Sequence, residues 1–448
     1  MVKKPAIKYT CTSCGAAHSS WSGRCNTCGE WNTLQEELVL STNTAARGGT
    51  VLRAENVTKL VNSDQKRLVS NITELDNVLG GGIVAGSVTL IAGQPGIGKS
   101  TLLLQLAYAA AAKHTVLYIS GEESAHQIGL RAKRLGAERQ ELQLATSTSA
   151  DDIAATIAAG TYQLVIVDSI QTLSCAAISS AAGSVTQITN STQLLTVAAK
   201  QANTAVMLVG HVTKEGSIAG PKVLEHVVDV VLQLEGDRYG GFKILRAVKN
   251  RFGSTNEAGI FEMRDNGLQP VANPSAALLA ERQISDGSVV LATMEGTRPL
   301  LVEVQALVNK TSYGYPKRAA SGVDLGRVNL LIAMLEKRTK LQLSDQDIYL
   351  NIVGGMKITE PAADLAVCMA IGSATKGLQL KTNAVVFGEV GLSGEVRHVP
   401  HADKRLAEAK KLGFDAAIGP RMKTVTKSAF LKGVTDIRSA LNQFLEKD

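Results

Sequence analysis

The sequence predicts an α/β protein in three parts: a small N-terminal four-cysteine zinc module, a nucleotide-binding core on a mostly parallel sheet, and a second α/β domain. Three observations carry this expectation. Cys11, Cys14, Cys25 and Cys28 follow the spacing C-x2-C-x10-C-x2-C. Gly93-Gln94-Pro95-Gly96-Ile97-Gly98-Lys99-Ser100 matches G-x-x-x-x-G-K-[ST]. Between Leu68 and about Val271, near-continuous apolar strand-like runs alternate with helix-like ones, the pattern of a sheet covered on both faces.

The cysteine module comes first. Each C-x-x-C turn places two thiolates on one ion, and two such knuckles close a tetrahedron. Gly15 and Gly29 follow the second cysteine of each pair, where the backbone must turn. Two redox pairs are the alternative; paired knuckles in a chain with a cytoplasmic outlook favour structural Zn²⁺. Cys175 and Cys368 stand apart and read as bystanders. His18, like the other histidines outside the core strands, shows no metal-ligand spacing. Residues 1–34 form the module, and 35–66, rich in Ser, Thr, Asn and Gly, read as a linker.

The nucleotide-binding core is expected to span 67–272. Val88–Ala92 is a strand and Ser100–Ala112 a helix, so the phosphate motif falls between strand and helix, the context that validates it. Residues Gly93 to Thr101 are assigned to the nucleotide: backbone N–H groups cradle phosphates, Lys99 reaches the β- and γ-phosphates, and Ser100 holds Mg²⁺. Strands are expected at Val116–Ser120, Gln163–Val167, Ala205–Val209 and Val228–Leu234. Asp168 ends one of them, where a carboxylate completes a Mg²⁺ shell. Glu122 follows another and is preferred over Glu123 as the group that orients the attacking water. His211 ends a third, at a position suited to sensing ligand.

Asn273-Pro274-Ser275 marks a boundary, and a second α/β domain covers 285–448. Its expected elements are strands at Ser288–Met294 and Leu300–Leu307 around a turn at 295–299. Helices are expected at Gly326–Arg338, Ala362–Ala374 and His401–Leu412.

Composition limits the partners. The 448 residues carry a net charge of +7, which permits a polyanion without demanding one. Aromatic residues make up only 4%, too few for extended base-stacking platforms. No apolar run is long enough to span a bilayer and no signal peptide is evident, so the expected location is cytoplasmic, away from membranes.

Together these motifs resemble the bacterial RadA (Sms) family of DNA-repair proteins, through the order four-Cys motif, phosphate loop, Lys249-Asn250-Arg251-Phe252-Gly253, and a Lon-protease-like C-terminal segment. The resemblance implies a RecA-like P-loop ATPase core and a hexameric ring that uses ATP, Mg²⁺ and Zn²⁺. It implies binding to single-stranded and branched DNA, and branch migration or extension of strand-exchange joints made by the RecA recombinase. Lys249 and Arg251, spaced i, i+2, would share one side of a strand and face the neighbour's nucleotide; contact with DNA phosphates is the competing reading. DNA is expected at two loops, Ser174–Thr189 and Thr213–Lys222, the second offering Lys214 and Lys222. A further basic patch comprises Lys310, Lys317, Arg318 and Arg327 around Tyr313 and Tyr315.

In the Lon-like segment, Gly354–Asp364 aligns with the stretch carrying the serine nucleophile, and that position is Ala362. The lysine position falls on Asp403, next to Lys404. A Ser–Lys pair needs a hydroxyl, so peptide hydrolysis by that route is excluded. The leading reading is therefore a DNA-dependent ATPase motor. A nucleotide-gated adaptor without translocation is the alternative, and an ATP-dependent protease is disfavoured.

Overall fold

A computed structural model of the chain describes residues 7–11, 16–38, 67–211, 221–236, 241–312, 314–422 and 429–446. The chain divides into two compact units, Met1–Asp64 and Gln65–Asp448.

The first unit holds a three-stranded antiparallel sheet, β1 (Ile7–Cys11), β2 (Ala17–His18) and β3 (Leu34–Leu38), with β1 in the centre. β1 pairs Cys11 with Leu34 and Ile7 with Leu38. The linker expected from Gln35 therefore starts later, because Gln35–Leu38 is held as a strand by β1. Its remainder, from 39 to 66, lies outside the described residues.

The second unit opens with α1 (Thr73–Leu79) and builds a nine-stranded sheet. In chain order come β4 (Val88–Gly93), α2 (Lys99–Ala110), β5 (Val116–Ser120), α3 (Ala125–Leu135), β6 (Leu142–Thr146), α4 (Ala150–Ala158) and β7 (Leu164–Asp168). Then follow α5 (Val185–Ala202), β8 (Ala205–His211), α6 (Pro221–Val227), β9 (Val230–Gly236), β10 (Phe242–Asn250), β11 (Ala258–Arg264) and β12 (Gly267–Pro270). The strand order is β12-β11-β10-β9-β4-β8-β7-β5-β6. The strands from β9 to β6 are all parallel, and β10–β12 extend the sheet as an antiparallel meander. Strands β4, β5 and β7 are buried along their whole length, as crossovers on both faces require.

Local chemistry sets the helix starts. Ser124 and Gln127 form a reciprocal capping box at α3. Ser149 and Ser184 cap α4 and α5 through Asp152 N–H and Gln187 N–H. Because α5 begins at Val185, the loop expected to reach Thr189 ends at Ser184. Likewise α6 takes in Lys222, so the second expected loop stops short of it.

The rest of the second unit continues with α7 (Pro274–Leu279), β13 (Ser288–Glu295), β14 (Arg298–Lys310), β15 (Arg318–Ser321), α8 (Leu325–Thr339), β16 (Gln346–Ile352) and α9 (Asp364–Lys376). Short strands β17 (Gln379–Leu380), β18 (Ala384–Val386), β19 (Glu389–Val390) and β20 (Val396–Arg397) follow. The chain ends with α10 (Ala402–Lys411), β21 (Ala416–Pro420), β22 (Leu431–Val434), α11 (Ile437–Phe444) and β23 (Leu445–Glu446). Seven of these strands form a mixed sheet in the order β15-β16-β14-β13-β18-β21-β22. α9 starts at Asp364 rather than Ala362, because Pro361–Ala363 is a separate 3₁₀ turn.

The two sheets share a core. Ile244, Ala258 and Ile260 of the nine-stranded sheet pack in one apolar cluster with Leu278, Val302, Leu331 and Val367. A charged strut reinforces it: buried Glu74 of α1 accepts two bonds from Arg298 Nη1 at 3.0 Å and one from Ile260 N–H. The β13–β14 turn that presents Arg298 is a two-residue hairpin in which Gly296 has φ +62°, and a Cβ there would meet Asn256 O at 1.8 Å.

Candidate nucleotide site at the carboxyl edge of the central sheet

The phosphate loop leaves β4 at Gly93 and enters α2 at Lys99. Gly96 and Gly98 have φ +79° and +113°, conformations a Cβ would oppose. Lys99 is buried, and its ammonium donates to Gly93 O at 2.8 Å and Gln94 O at 3.0 Å. Burial pulls its pKa down to about 8, against the pull of Asp168 and Glu122.

Those two carboxylates lie at the ends of neighbouring strands, with Ser120 opposite Asp168 in the β5–β7 ladder. Tyr118 donates to Asp168 Oδ2 at 2.6 Å. Burial, reinforced by Asp168, pushes that phenol well above its ordinary value, so it stays a donor. Glu122 accepts from Ser169 Oγ, and His211 Nε2 lies 3.4 Å from the same oxygen. Glu123 points elsewhere and pairs with Arg131 of α3. The neighbourhood also carries buried polar atoms without a partner among the described residues: His211 Nδ1, Gln171 Oε1 and Arg131 Nη1. A glycine cradle, a desolvated ammonium, two acids and orphaned polar atoms suit a polyphosphate with a divalent cation.

Tyr118, Ser169, Gln171 and Arg131 escaped the sequence reading. The dipeptide Asp168-Ser169 was a visible signal for Ser169; Tyr118 reads simply as a buried strand residue until β5 and β7 are known to be neighbours.

Lys249 and Arg251 lie at the other edge of the sheet. Lys249 pairs with Val231 and Asn250 with Val230, while Gly93 stands beside Leu234. They are thus about four residues, on the order of 13 Å, down the sheet from the phosphate loop. They do not share a strand: β10 ends at Asn250, after a bulge between Ala247 and Lys249. Lys249 Nζ donates to Val228 O at 2.8 Å and to Glu225 O, at the end of α6. Arg251 pairs with buried Asp229 at 3.1 Å and leaves half its side chain exposed.

The candidate DNA cations separate. Lys214 lies outside the described residues, and Lys222 falls within α6. Lys310 and Lys317 are exposed, and Tyr315 between them is 87% exposed. Arg318 sits on β15 with its Nε buried. Arg327 does not join this patch, because its guanidinium grips both oxygens of buried Asp364.

In the first unit, Cys25 is buried and Cys28 exposed, in a turn where Gly29 (φ +77°) donates to Cys25 O at 2.9 Å. The Cys28 N–H, acting against burial and with help from Thr27 and His18, pulls the Cys25 thiol down to about 5. A thiolate at neutral pH is the form Zn²⁺ binds, so the knuckle fits that ion. His18 Nε2 lies 3.4 Å from Cys25 Sγ, a neighbour that the cysteine spacing does not reveal. Cys11 ends β1, and Cys14 lies outside the described residues.

At the Lon-like segment, Ala362 is buried in its 3₁₀ turn. Asp403 is exposed on α10, and Lys404 donates to Thr297 O at 3.1 Å. Arg405, 1% exposed, makes a bidentate pair with Glu360, which also accepts from Thr293 Oγ1 and Met294 N–H. Cys175, read as a bystander, is buried with its sulfur 3.4 Å from Ser191 Oγ. Cys368 is fully buried in α9.

Phosphate loop, strand-end acids and flanking modules define a P-loop ATPase with an N-terminal zinc ribbon and a protease-like C-terminal domain. The chain matches the family model of an AAA domain over residues 54–217. It also matches a rubredoxin metal binding domain over 9–36 and subunit ChlI of Mg-chelatase over 327–423. The DNA repair protein RadA of Brucella abortus is 50% identical over 93% of this chain and 92% of its own length. That of Bacillus subtilis is 47% identical over 99% of both, and that of Pseudomonas aeruginosa 48% over 92% of both. A solved RadB recombinase aligns over 46% of this chain, with 22% identity and a TM-score of 0.37. The chain belongs to the RadA family of DNA repair proteins, and it is an ATPase. Among the described residues no helix is long and apolar enough to cross a membrane.

Proposed function

We propose that the chain is a DNA-dependent ATPase that binds single-stranded DNA and works as a ring, hexameric by family likeness, driving branch migration or extension of joints made by the RecA recombinase. The observation that carries this reading is the separation of the phosphate loop from Lys249 and Arg251 on opposite edges of one sheet. Cations that far from their own nucleotide are suited to another subunit's, which makes hydrolysis depend on a neighbour.

In this reading Gly93 to Thr101 holds the phosphates of ATP, Lys99 neutralises the β- and γ-oxygens, and Ser100 and Asp168 hold Mg²⁺, which supplies charge neutralisation when bound. Glu122 orients the water, and His211 reports occupancy to the adjoining loop. Arg251 keeps a half-exposed guanidinium for the neighbour while Asp229 steadies it; Lys249 anchors α6, the helix that follows the second DNA loop. Lys310, Lys317 and Arg318 form a secondary DNA contact, with Lys214 and Lys222 in or next to that second loop. The four cysteines hold structural Zn²⁺. The domain plan is 1–34, 67–272 and 285–448, the first extended to Leu38.

Mixing variants tests the ring. Lys99→Ala and Arg251→Ala chains, each inactive alone, give about a quarter of interfaces with both parts intact when mixed equally. DNA-stimulated hydrolysis that returns on mixing supports the reading; a mixture as dead as its parts refutes it. Extension of a synthetic three-strand junction, with and without ATP, separates a motor from a nucleotide-gated adaptor.

A further inference from the structure

Two hydroxyls outside the phosphate loop join the two acids of the nucleotide edge, and they do so crosswise. Tyr118 lies on β5, the strand that leads to Glu122, yet its phenol donates to Asp168 Oδ2 at the end of β7, at 2.6 Å. Ser169 follows Asp168 out of β7, yet its hydroxyl donates back to Glu122 Oε1 beyond β5. The two strands are parallel neighbours, with Ser120 opposite Asp168. Each strand therefore carries one acid and the donor that fixes the other acid.

Both donors are buried, Tyr118 at 1% exposure and Ser169 at 0%. Asp168 is buried too, so breaking the Tyr118 tie leaves a buried acceptor unmade, whereas the Ser169 tie fixes an acid that is itself 42% exposed. Asp168 is itself buried, and Tyr118 occupies its Oδ2. A carboxylate pinned through one oxygen stops rotating and presents the other in one direction, which a small, geometrically demanding cation requires. Glu122 sits on a loop and lacks the strand's rigidity. Ser169 Oγ and His211 Nε2 both approach its Oε1, fixing that oxygen from the Asp168 side.

We infer that Tyr118 and Ser169 are positioning residues that cross-tie the metal-holding carboxylate and the water-orienting carboxylate, so that the spacing between the two is set by the β5–β7 ladder. This inference rests on the roles proposed above for Asp168 and Glu122.

The test uses the full chain and a ribose-labelled fluorescent ADP, with Mg²⁺ titrated. Tyr118→Phe removes one hydroxyl and no volume. The Mg²⁺ concentration that half-restores tight ADP binding is expected to rise about tenfold, with ADP binding in chelator unchanged. Ser169→Ala is expected to lower kcat about tenfold at unchanged KM for ATP, and Ser169→Thr to recover it. If the alanine chain does not fold, Ser169→Cys gives the same split. The inference is overturned if Tyr118→Phe leaves the Mg²⁺ midpoint in place, or if the Ser169→Ala defect lies in KM or is not recovered by threonine. Glu122→Gln is the separate control. Turnover retained in that variant defeats the role given to Glu122 and with it the Ser169 half, while the Mg²⁺ titration still judges Tyr118.

Discussion

The nucleotide edge and the Lon-like segment contain the same kinds of groups and arrange them oppositely. At the nucleotide edge, Lys99 is desolvated beside two acids, and its amine donates to two loop carbonyls. At the Lon-like segment, Arg405 is locked bidentate on Glu360, Lys404 is spent on Thr297, and the nucleophile position is an alanine. The first site holds charge ready for an incoming polyanion. The second has closed its charges on one another. A hydrolytic site is thus defined less by possessing cations and acids than by keeping them from pairing with one another.

Breaking the closed network has the largest expected effect. Arg405→Leu strands Glu360 among Thr293 and Met294, at a cost of about 3 kcal/mol, discounted for the partial exposure of Glu360. Thermal unfolding is expected to shift down while ADP affinity holds, and an equal loss of both would erase the distinction between the regions. Lys99→Ala should do the reverse. Turnover is expected to fall at least about 100-fold with the melting temperature preserved, measured by phosphate release and calorimetry.

Acid and alkali separate the regions more gently. Burial pushes the Glu360 carboxyl up, but Arg405, Thr293 and the Met294 N–H outweigh it and hold it below 4.5. Its stabilisation is therefore complete above pH 4.5 and lost as pH falls through the depressed value. The stability gap between the parent and Glu360→Gln is expected to close only in acid. Lys99 runs the other way. Its ammonium titrates at about 8, so ADP affinity is expected to fall as pH rises through that value, and a flat profile would contradict a buried ammonium as phosphate partner. The smallest effect belongs to Ala362→Ser. Casein cleavage is expected to stay at background, because Lys404 already donates to Thr297.

The sequence was most informative where a motif is contiguous. The phosphate loop, the strand ends at Asp168 and Glu122 and the absence of a serine at 362 could be read directly, because short-range spacing fixes them. What it hid depends on contacts between distant segments. The side chain of Arg327 looks like a free surface cation until α8 and α9 bring it to Asp364. Lys249 and Arg251 look like an i, i+2 pair on one strand until the bulge in β10 and the strand end at Asn250 separate them. Helix starts at Val185 and Pro221 were missed because polar, Ser- and Gly-containing segments read as loop, and Ser184 as a cap is evident only once its bond to Gln187 N–H is known.

The shared core of the second unit bears on how the protein is made. Ile244, Ala258 and Ile260 share their buried cluster mostly with residues from 278 onward, and Glu74 finds its counter-charge in Arg298. A ribosome that has released the last strand of the nine-stranded sheet has thus delivered one uncovered apolar edge, with an acid still waiting for its guanidinium. The ATPase portion closes two apolar cores of its own, but this edge stays open until the polypeptide behind it arrives. A nascent chain stalled near residue 272 would present that apolar edge to chaperones, and a gene cut there would leave Glu74 without its arginine.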